Sequence, residues 1–528
     1  MNNNNNKTNN FMQGVIALLF SQLIIKILGM FYSLYLTNKP GFGDKGNAIF
    51  YSTYQIYIIF LTISSIGIPN SISKIIAEEL AIGNIKGSKR ILKIAFCVFG
   101  GLGFLCSVVL YFSADFVSDK ILRLEESKYI LKLLAPSIFW ITLSSIFRGY
   151  FNAKRRIKIS ARAQIIEQFF KTIITIIFVE IVSNLTNNTE LMVNSSTIAL
   201  VLASIISFIY TFKSFKKFEK IDENEYLYSN FNVQMSVKEI FIKIMSISIP
   251  ITLSTVLVTI SKNIDSFTII RLLRRVFSEE IVKERYGILS SKVELLTIFP
   301  TALNGSIALA IIPEISRINK IRNDKFLNKY VSFSLLLTLL VSIPMMLLMY
   351  IYSNEIINFL YPNANKGAEL LKISSFSIVF LCLIQTLTGI LQGLGKTKIY
   401  IRVTSFALLI KFVLNVLLIS IKGIYEKGAI ISTIISDGII CFLLIRQMNK
   451  ELNIKFNIKH KIIKICFCII LPIMLITSLE LHFIIKMFLI LIIYVLLILS
   501  IKIFTEDELK MLPNGEKIYG FMKKTKIY

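Results

Sequence analysis

Residues 141–171 read ITLSSIFRGYFNAKRRIKISARAQIIEQFFK, and residues 388–411 read TGILQGLGKTKIYIRVTSFALLIK. Each stretch leaves an apolar run through a glycine, crosses a short basic loop and enters a second apolar run that carries a lysine. Arg148-Gly149-Tyr150-Phe151-Asn152 leads to Lys158, Ile159, Arg162 and Lys171; Thr388-Gly389-Ile390-Leu391-Gln392 leads to Lys398, Ile399, Arg402 and Lys411. Gly149 and Gly389, Lys158 and Lys398, Arg162 and Arg402, and Lys171 and Lys411 are each 240 positions apart. A second echo joins Ile72-Ser73-Lys74 to Ile315-Ser316-Arg317 at a step of 243. Chance matching of short basic segments is the alternative to duplication, and the shared step weighs against it.

The flanking sequence says what the duplicated unit is made of. Of 528 residues, 54% are hydrophobic and 17% charged. A water-soluble chain of this length would divide into several domains with polar surfaces and near a quarter of their residues charged. Here the apolar residues come in runs of roughly 20, the length that crosses a bilayer core. The reading is an all-α polytopic membrane protein of fourteen spans, at roughly 11–36, 47–69, 91–115, 129–149, 163–183, 192–212, 239–262, 287–313, 327–352, 367–391, 399–421, 427–446, 461–479 and 482–503. The run from Phe241 to Leu273 is long for one span, so its outer end is expected to be an extramembrane continuation or a break, with a kink at Pro250.

Six spans separate equivalent points of the repeat. An even number gives two parallel six-helix lobes, related by an axis along the membrane normal and facing each other across a central cavity. The expected division is 1–220 for spans 1–6, 221–450 for spans 7–12, and 451–528 for spans 13 and 14 with a basic cytoplasmic tail. The Asn tract and Lys7 ahead of Phe11 read as a tail rather than a signal peptide, so the first run is expected to stay.

A net charge of +27 in a soluble protein would point to nucleic acid. In a polytopic one it reads as cytoplasmic loops facing anionic lipid headgroups, with no nucleic acid involved. Basic residues gather at 74–90, 148–162, 213–220, 317–325, 396–402 and 446–459, whereas loops near 37–46, 184–191 and 353–366 hold few. The positive-inside bias therefore puts both termini in the cytoplasm of a bacterial cell membrane. One loop dissents: 262–286 carries Lys262, Arg271, Arg274, Arg275, Lys283 and Arg285 on the expected outside.

Little in the chain could do covalent chemistry. Cys97, Cys106, Cys382, Cys441, Cys466 and Cys468 lie in or beside apolar runs without metal-ligand spacing, and His460 and His482 stand alone. No phosphate-cradling loop is present. The expectation is a protein that is not an enzyme, with no catalytic residue, no metal and no cofactor.

Charges inside spans are costly, by a few kcal/mol each near the midplane, so each asks for a partner, a wet cavity or a function. Lys26 lies about ten residues from either end of its span, too deep to snorkel easily. Glu167 and Lys171 stand one turn apart, either as a self-neutralising pair or as functional groups. Lys292 and Glu294 open the eighth span, and Lys411 with Asn415 lies on the eleventh. Several lysines around one cavity would attract a polyanion such as a lipid-linked pyrophosphate sugar. A cation-translocating drug exporter would need carboxylates instead; Asp265 and Glu180 are available but outnumbered.

Further words narrow the choice. Lys26-Ile27-Leu28-Gly29-Met30-Phe31-Tyr32, Leu36-Thr37-Asn38, Gly43-Asp44-Lys45-Gly46-Asn47, Tyr54-Gln55-Ile56-Tyr57 and Gly67-Ile68-Pro69-Asn70-Ser71-Ile72-Ser73-Lys74 follow one another; Tyr286-Gly287-Ile288-Leu289, Pro313-Glu314-Ile315-Ser316 and Gly389-Ile390-Leu391-Gln392-Gly393-Leu394-Gly395 continue the series. In order and spacing they resemble the stage V sporulation protein B and polysaccharide-biosynthesis family of the multidrug/oligosaccharidyl-lipid/polysaccharide exporter superfamily, beside the MurJ-type lipid II flippases. The resemblance implies two six-helix lobes, alternating access and export of a lipid-linked cell-wall or polysaccharide precursor. It implies anion-binding roles for Lys26, Lys74 and Lys292, and a sodium site at Asp265, Asn415 and Thr433, with nearby Lys411 as the alternative source of the positive charge there. Where the family usually has an arginine after Gly-Met-Phe-Tyr, this chain has Ser33.

Together these give a monomeric flippase of an undecaprenyl-pyrophosphate saccharide, resembling a lipid II carrier, with Lys26, Lys74, Lys171, Lys292 and Lys411 as substrate-binding residues. Coupling to Na+, to H+ or to the membrane potential is open. The alternatives are a cation-coupled multidrug exporter and a non-transporting scaffold of sporulation or cell-wall machinery, the latter hinted at only by Ser33.

Overall fold

The computed structural model describes residues 2–226, 235–321, 324–452, 459–505 and 508. Among them there is no strand, and the helices are α1 (Asn2–Asn38), α2 (Gly43–Ser65), α3 (Ile68–Ala81), α4 (Ile85–Phe116), α5 (Ser127–Ala153), α6 (Ile157–Leu185), α7 (Thr189–Tyr226), α8 (Val237–Leu273), α9 (Glu279–Gly287), α10 (Glu294–Ile321), α11 (Asp324–Ile351), α12 (Ser353–Leu360), α13 (Ala368–Ser374), α14 (Ser377–Gly393), α15 (Thr397–Ile419), α16 (Glu426–Leu452), α17 (Lys459–Thr477) and α18 (Phe483–Ser500). Two wide π-helical turns, Val117–Leu122 and Ile288–Val293, follow α4 and precede α10 respectively.

Every expected span falls on a helix. Ten described stretches are long and apolar enough to cross a membrane, and eleven if α13 and α14, bent by 41° from each other, form one broken span. The other three expected spans lie on α6, α10 and α17, so the count of fourteen is an expectation these lengths do not fix. The expected span 47–69 ends earlier, at Ser65, and a separate helix α3 that the apolar pattern hid starts at Ile68 with Pro69 in its first turn. Conversely, α8 does not break: it runs 37 residues through Pro250, about 55 Å, far longer than a bilayer core.

Sequence explains the helix ends locally. Asn84 caps α4 by accepting from the Gly87 N–H at 2.9 Å. Ser236 and Glu239 form a reciprocal capping box at the start of α8.

The chain folds as two compact units. One comprises Met1–Leu295, Tyr361–Ala364 and Leu408–Ala429; the other Leu296–Leu360, Asn365–Ala407 and Ile430–Tyr528. In the first unit α8, α9 and the second half of α15 fold with the helices of the first six expected spans.

In the first unit, α3 is wedged among α4, α5 and α8, its Ile68, Ile72, Ile75 and Ile76 buried with Phe99, Phe147, Tyr150, Ile240 and Ile244. Lipid is as apolar as these side chains, so close packing rather than exclusion of water holds such helices together. Glycine makes the approach possible. A Cβ on Gly67 would meet Thr252 Oγ1 at 2.5 Å, and one on Gly149 would meet Pro69 Cα at 3.1 Å and Ile72 Cβ at 3.0 Å. In the second unit, a Cβ on Gly389 would meet the Ala308 carbonyl at 2.9 Å, and one on Gly393 would meet Ile315 Cβ at 2.9 Å.

The repeat thus has structural counterparts within each unit. Thr142 donates to Ser64 at 3.1 Å in the first, and Asn304 donates to the Cys382 carbonyl at 2.9 Å in the second. Ser64 and Asn304, like Thr142 and Cys382, stand 240 positions apart.

The dissenting basic loop is mostly helical and largely neutralised. Arg274 pairs with Glu279 at 2.8 Å, Arg285 with Glu426 at 2.8 Å, and Lys283 with both Glu126 and Glu279. Burial pulls the Lys283 ammonium down, but the two carboxylates more than offset it and hold it above the ordinary lysine value.

Candidate functional site

The first unit gathers most of the charges that apolar helices carry, in four settings. At the first, α15 delivers Lys411 and Asn415, one turn apart, to the side of α8. Lys411 is 2% exposed, and its ammonium donates to Asp265 Oδ2 at 2.5 Å, to Ser261 Oγ at 2.9 Å and to the Ser261 carbonyl at 3.1 Å. Asp265 Oδ1 accepts from Asn415 Nδ2 at 2.8 Å, and the same amide donates to Thr268 Oγ1 at 3.0 Å. Asn263 fixes this part of α8 to α2 by donating to the Gln55 carbonyl at 3.0 Å.

The second setting surrounds the π turn ahead of α10. Lys292 is fully buried there, donating to Asp44 Oδ2 at 2.8 Å and to the Ala364 carbonyl at 2.5 Å, with the Tyr361 ring centroid 5.5 Å away. Backbone closeness is extreme: a Cβ on Gly287 would lie 1.9 Å from the Asp44 carbonyl, so this crossing admits only glycine. Ser33 is 1% exposed and donates to the Ser291 carbonyl at 3.4 Å.

The third setting belongs to α6. Lys171 stands over the rings of Tyr32 at 4.8 Å and Tyr54 at 5.4 Å, with the charge of Glu167 one turn away. Among the described residues no hydrogen-bond acceptor is fixed to its ammonium. Glu167 also feels Arg148, which donates to Ser145 Oγ at 2.5 Å.

In the fourth setting two like charges meet. Lys26 is exposed on α1, and Lys262 of α8 lies close enough to repel it. Lys262 is paired with Glu294 at 3.5 Å, and Glu294 in turn feels Asp265 and Lys411. Lys26, Lys262, Glu294, Asp265 and Lys411 therefore form one connected electrostatic neighbourhood, and a second anion there would relieve the repulsion between Lys26 and Lys262.

Against the expected site, the structure brings Asp265, Asn415 and Lys411 together, whereas Lys26 is exposed on α1 and is linked to them only through the charge of Lys262, which pairs with Glu294. Lys292 has its ammonium directed to Asp44 and Ala364. Lys74 is exposed on α3 between Ser71, which faces Ser248 at 3.4 Å, and Glu78, which pairs with Lys243 at 2.7 Å. That level of α8 is on the order of 20 Å from Lys262 along the helix axis, so Lys74 is apart from the neighbourhood. Thr433 belongs to the second unit, on α16. Lys262 and the aromatic supports Tyr32 and Tyr54 were not singled out from sequence. The signal for Lys262 was its place three residues before Asp265 in a run that continues to Leu273.

The sequence matches the family described as "Polysaccharide biosynthesis protein" over residues 11–319 and the MatE family over 250–417. Lipid II flippase MurJ of Bacillus subtilis (strain 168) is 24% identical over 439 residues, covering 80% of this chain and 79% of that protein. Stage V sporulation protein B of the same organism is 21% identical over 451 residues, 85% of this chain and 86% of its own length. Among solved structures, lipid II flippase MurJ in an inward closed conformation superposes with a TM-score of 0.72 at 17% identity, over 92% of this chain and 99% of that one. An inward-facing multidrug resistance MATE family transporter gives 0.64 at 12% identity, over 83% and 98%. At these identities the structural likeness is one of fold.

Proposed function

Because the chain belongs to the polysaccharide biosynthesis protein family, we propose that this multi-pass membrane transporter carries a lipid-linked, pyrophosphate-bearing cell-wall or polysaccharide precursor across the cytoplasmic membrane. The observation that carries the reading is the excess of positive charge in this neighbourhood, where Lys262 and Lys411 are matched by Glu294 and Asp265 and Lys26 has no carboxylate of its own among the described ion pairs. A pyrophosphate supplies the missing negative charge, while an undecaprenyl tail stays among apolar side chains.

Lys171 adds to the same side of the balance. Its ammonium rests on π faces, which hold a cation without neutralising it, so an incoming phosphate oxygen gains a donor without first breaking an ion pair. No bond to substrate forms or breaks; binding and a change of access are the whole of the chemistry. In this reading both termini are cytoplasmic, the basic loops face anionic lipid, and one chain suffices for transport.

Purified full-length protein in liposomes carrying an undecaprenyl-pyrophosphate saccharide tests it. Lys26→Gln and Lys171→Gln are expected to slow translocation at least about tenfold each, the effect of losing one charge-assisted contact. Unchanged translocation at equal reconstitution would overturn the reading. A second reading, cation-coupled drug export, is favoured by the MatE match over 250–417, which contains Asp265. It predicts that deleting the gene raises accumulation of a cationic dye without a cell-wall defect.

A further inference from the structure

We infer that Lys411 is a tethered occupant of the cation place beside Asp265, so that this protein binds no sodium there and translocates without it. The resemblance implies a sodium ion held by Asp265, Asn415 and Thr433, and the residues around Asp265 do not fit one. The Lys411 ammonium has three hydrogens and three acceptors: Asp265 Oδ2 at 2.5 Å, Ser261 Oγ at 2.9 Å and the Ser261 carbonyl at 3.1 Å. The other Asp265 oxygen accepts from the Asn415 amide at 2.8 Å. A metal ion approaching this carboxylate would meet a buried positive charge already in contact with it.

The donor set also says what removing the lysine would do. Without the ammonium, Asp265 Oδ2, Ser261 Oγ and the Ser261 carbonyl would face a vacated space beside a carboxylate. Asn415 Oδ1, a fully buried oxygen with no hydrogen-bond partner among the described residues, would be a fourth oxygen in the same cluster. One charged and several neutral oxygens are the hard ligands that a group I or II cation takes. Lys411 and a metal ion are therefore mutually exclusive ways of balancing Asp265. The ion is at issue here and not the cargo, and the readout needs no substrate.

The test is thermal unfolding of the purified full chain in detergent, in sodium chloride against choline chloride at equal ionic strength, with radioactive sodium binding measured beside it. Wild type is expected to unfold at the same temperature in both salts and to retain no sodium. Lys411→Ala is expected to be stabilised by sodium over choline by roughly 2 °C or more, as for a site filled well above its dissociation constant, and to retain the isotope. Should Lys411→Ala fail to fold, the wild-type arms still decide. Saturable sodium binding or sodium-specific stabilisation of wild type would overturn the inference, as would a Lys411→Ala protein that folds yet is indifferent to sodium. Loss of translocation in Lys26→Gln, with wild type indifferent to sodium, would leave this inference and the proposed cargo both standing; the two fail separately.

Discussion

Lys171 and Lys411 occupy equivalent positions of one repeated sequence and live in opposite electrostatic worlds. The first lies over two tyrosine rings with a carboxylate on its own helix; the second is closed in by Asp265 and both oxygens of Ser261 from a different helix. A ring face attracts a cation through its quadrupole and leaves its full charge to be shared with a newcomer. A buried carboxylate cancels that charge, and separating the pair costs several kcal/mol. The two stretches share the lysine, and the surroundings divide the labour between a cation that can be lent and one that is spoken for.

The sharpest way to break this contrast is Asp265→Asn. It strands the Lys411 ammonium among apolar helices and is expected to cost about 3–5 kcal/mol, read as a fall in melting temperature, while Asp265→Asn with Lys411→Met recovers most of it. A single variant that melts like wild type would mean that the pair is not the closed unit described.

Lys171→Gln should behave the other way round. Its melting temperature is expected to move by less than about 1 kcal/mol equivalent, while translocation falls about tenfold or more; a protein that loses stability but keeps its rate would reverse the assignment. Tyr54→Leu removes one of the two ring faces, and a few-fold loss of translocation corresponds to about 0.5–1 kcal/mol. The smallest effect is expected from Lys283→Gln, where a partly exposed pair outside the spans is worth up to about 1 kcal/mol. With its folded value raised, Lys283 contributes fully below the unfolded lysine value of about 10.4 and loses that contribution only as pH climbs through the higher folded value. The stability gap between Lys283→Gln and wild type should therefore be flat from about pH 6 to 9; a gap that closes in that window would show that lysine titration is not its source.

How much of this was legible in the sequence differs by kind of feature. Runs of apolar residues placed a helix on every expected span, because length and hydrophobicity decide what a bilayer accepts. The same criterion hid α3, whose apolar residues merge with those of α2 until Gly67 and Pro69 separate them. Lys411 and Asp265 each announced themselves as charges in apolar surroundings. Their pairing did not, since they are 146 positions apart and only the packing of α15 on α8 brings them to contact. Lys292 looked from sequence like a ligand-binding cation at a helix start; that it turns to Asp44 depends on Gly287, whose missing side chain lets the two backbones meet. Lys262 was read as part of a loop because a single span was expected to end there, and α8 continues to Leu273.

The π turn at Ile288–Val293 has a consequence for heredity. Such a turn is an ordinary helix with one residue too many, held wide because the extra residue cannot be expelled. Lys292, within it, pairs with Asp44, and Glu294, at the start of α10, pairs with Lys262. Deleting one residue between Ile288 and Ser291 would return the turn to 3.6 residues and rotate α9 by about 100° relative to α10. Relatives that keep both ion pairs should keep the insertion, and a relative with a one-residue gap here should have lost at least one of the two charges.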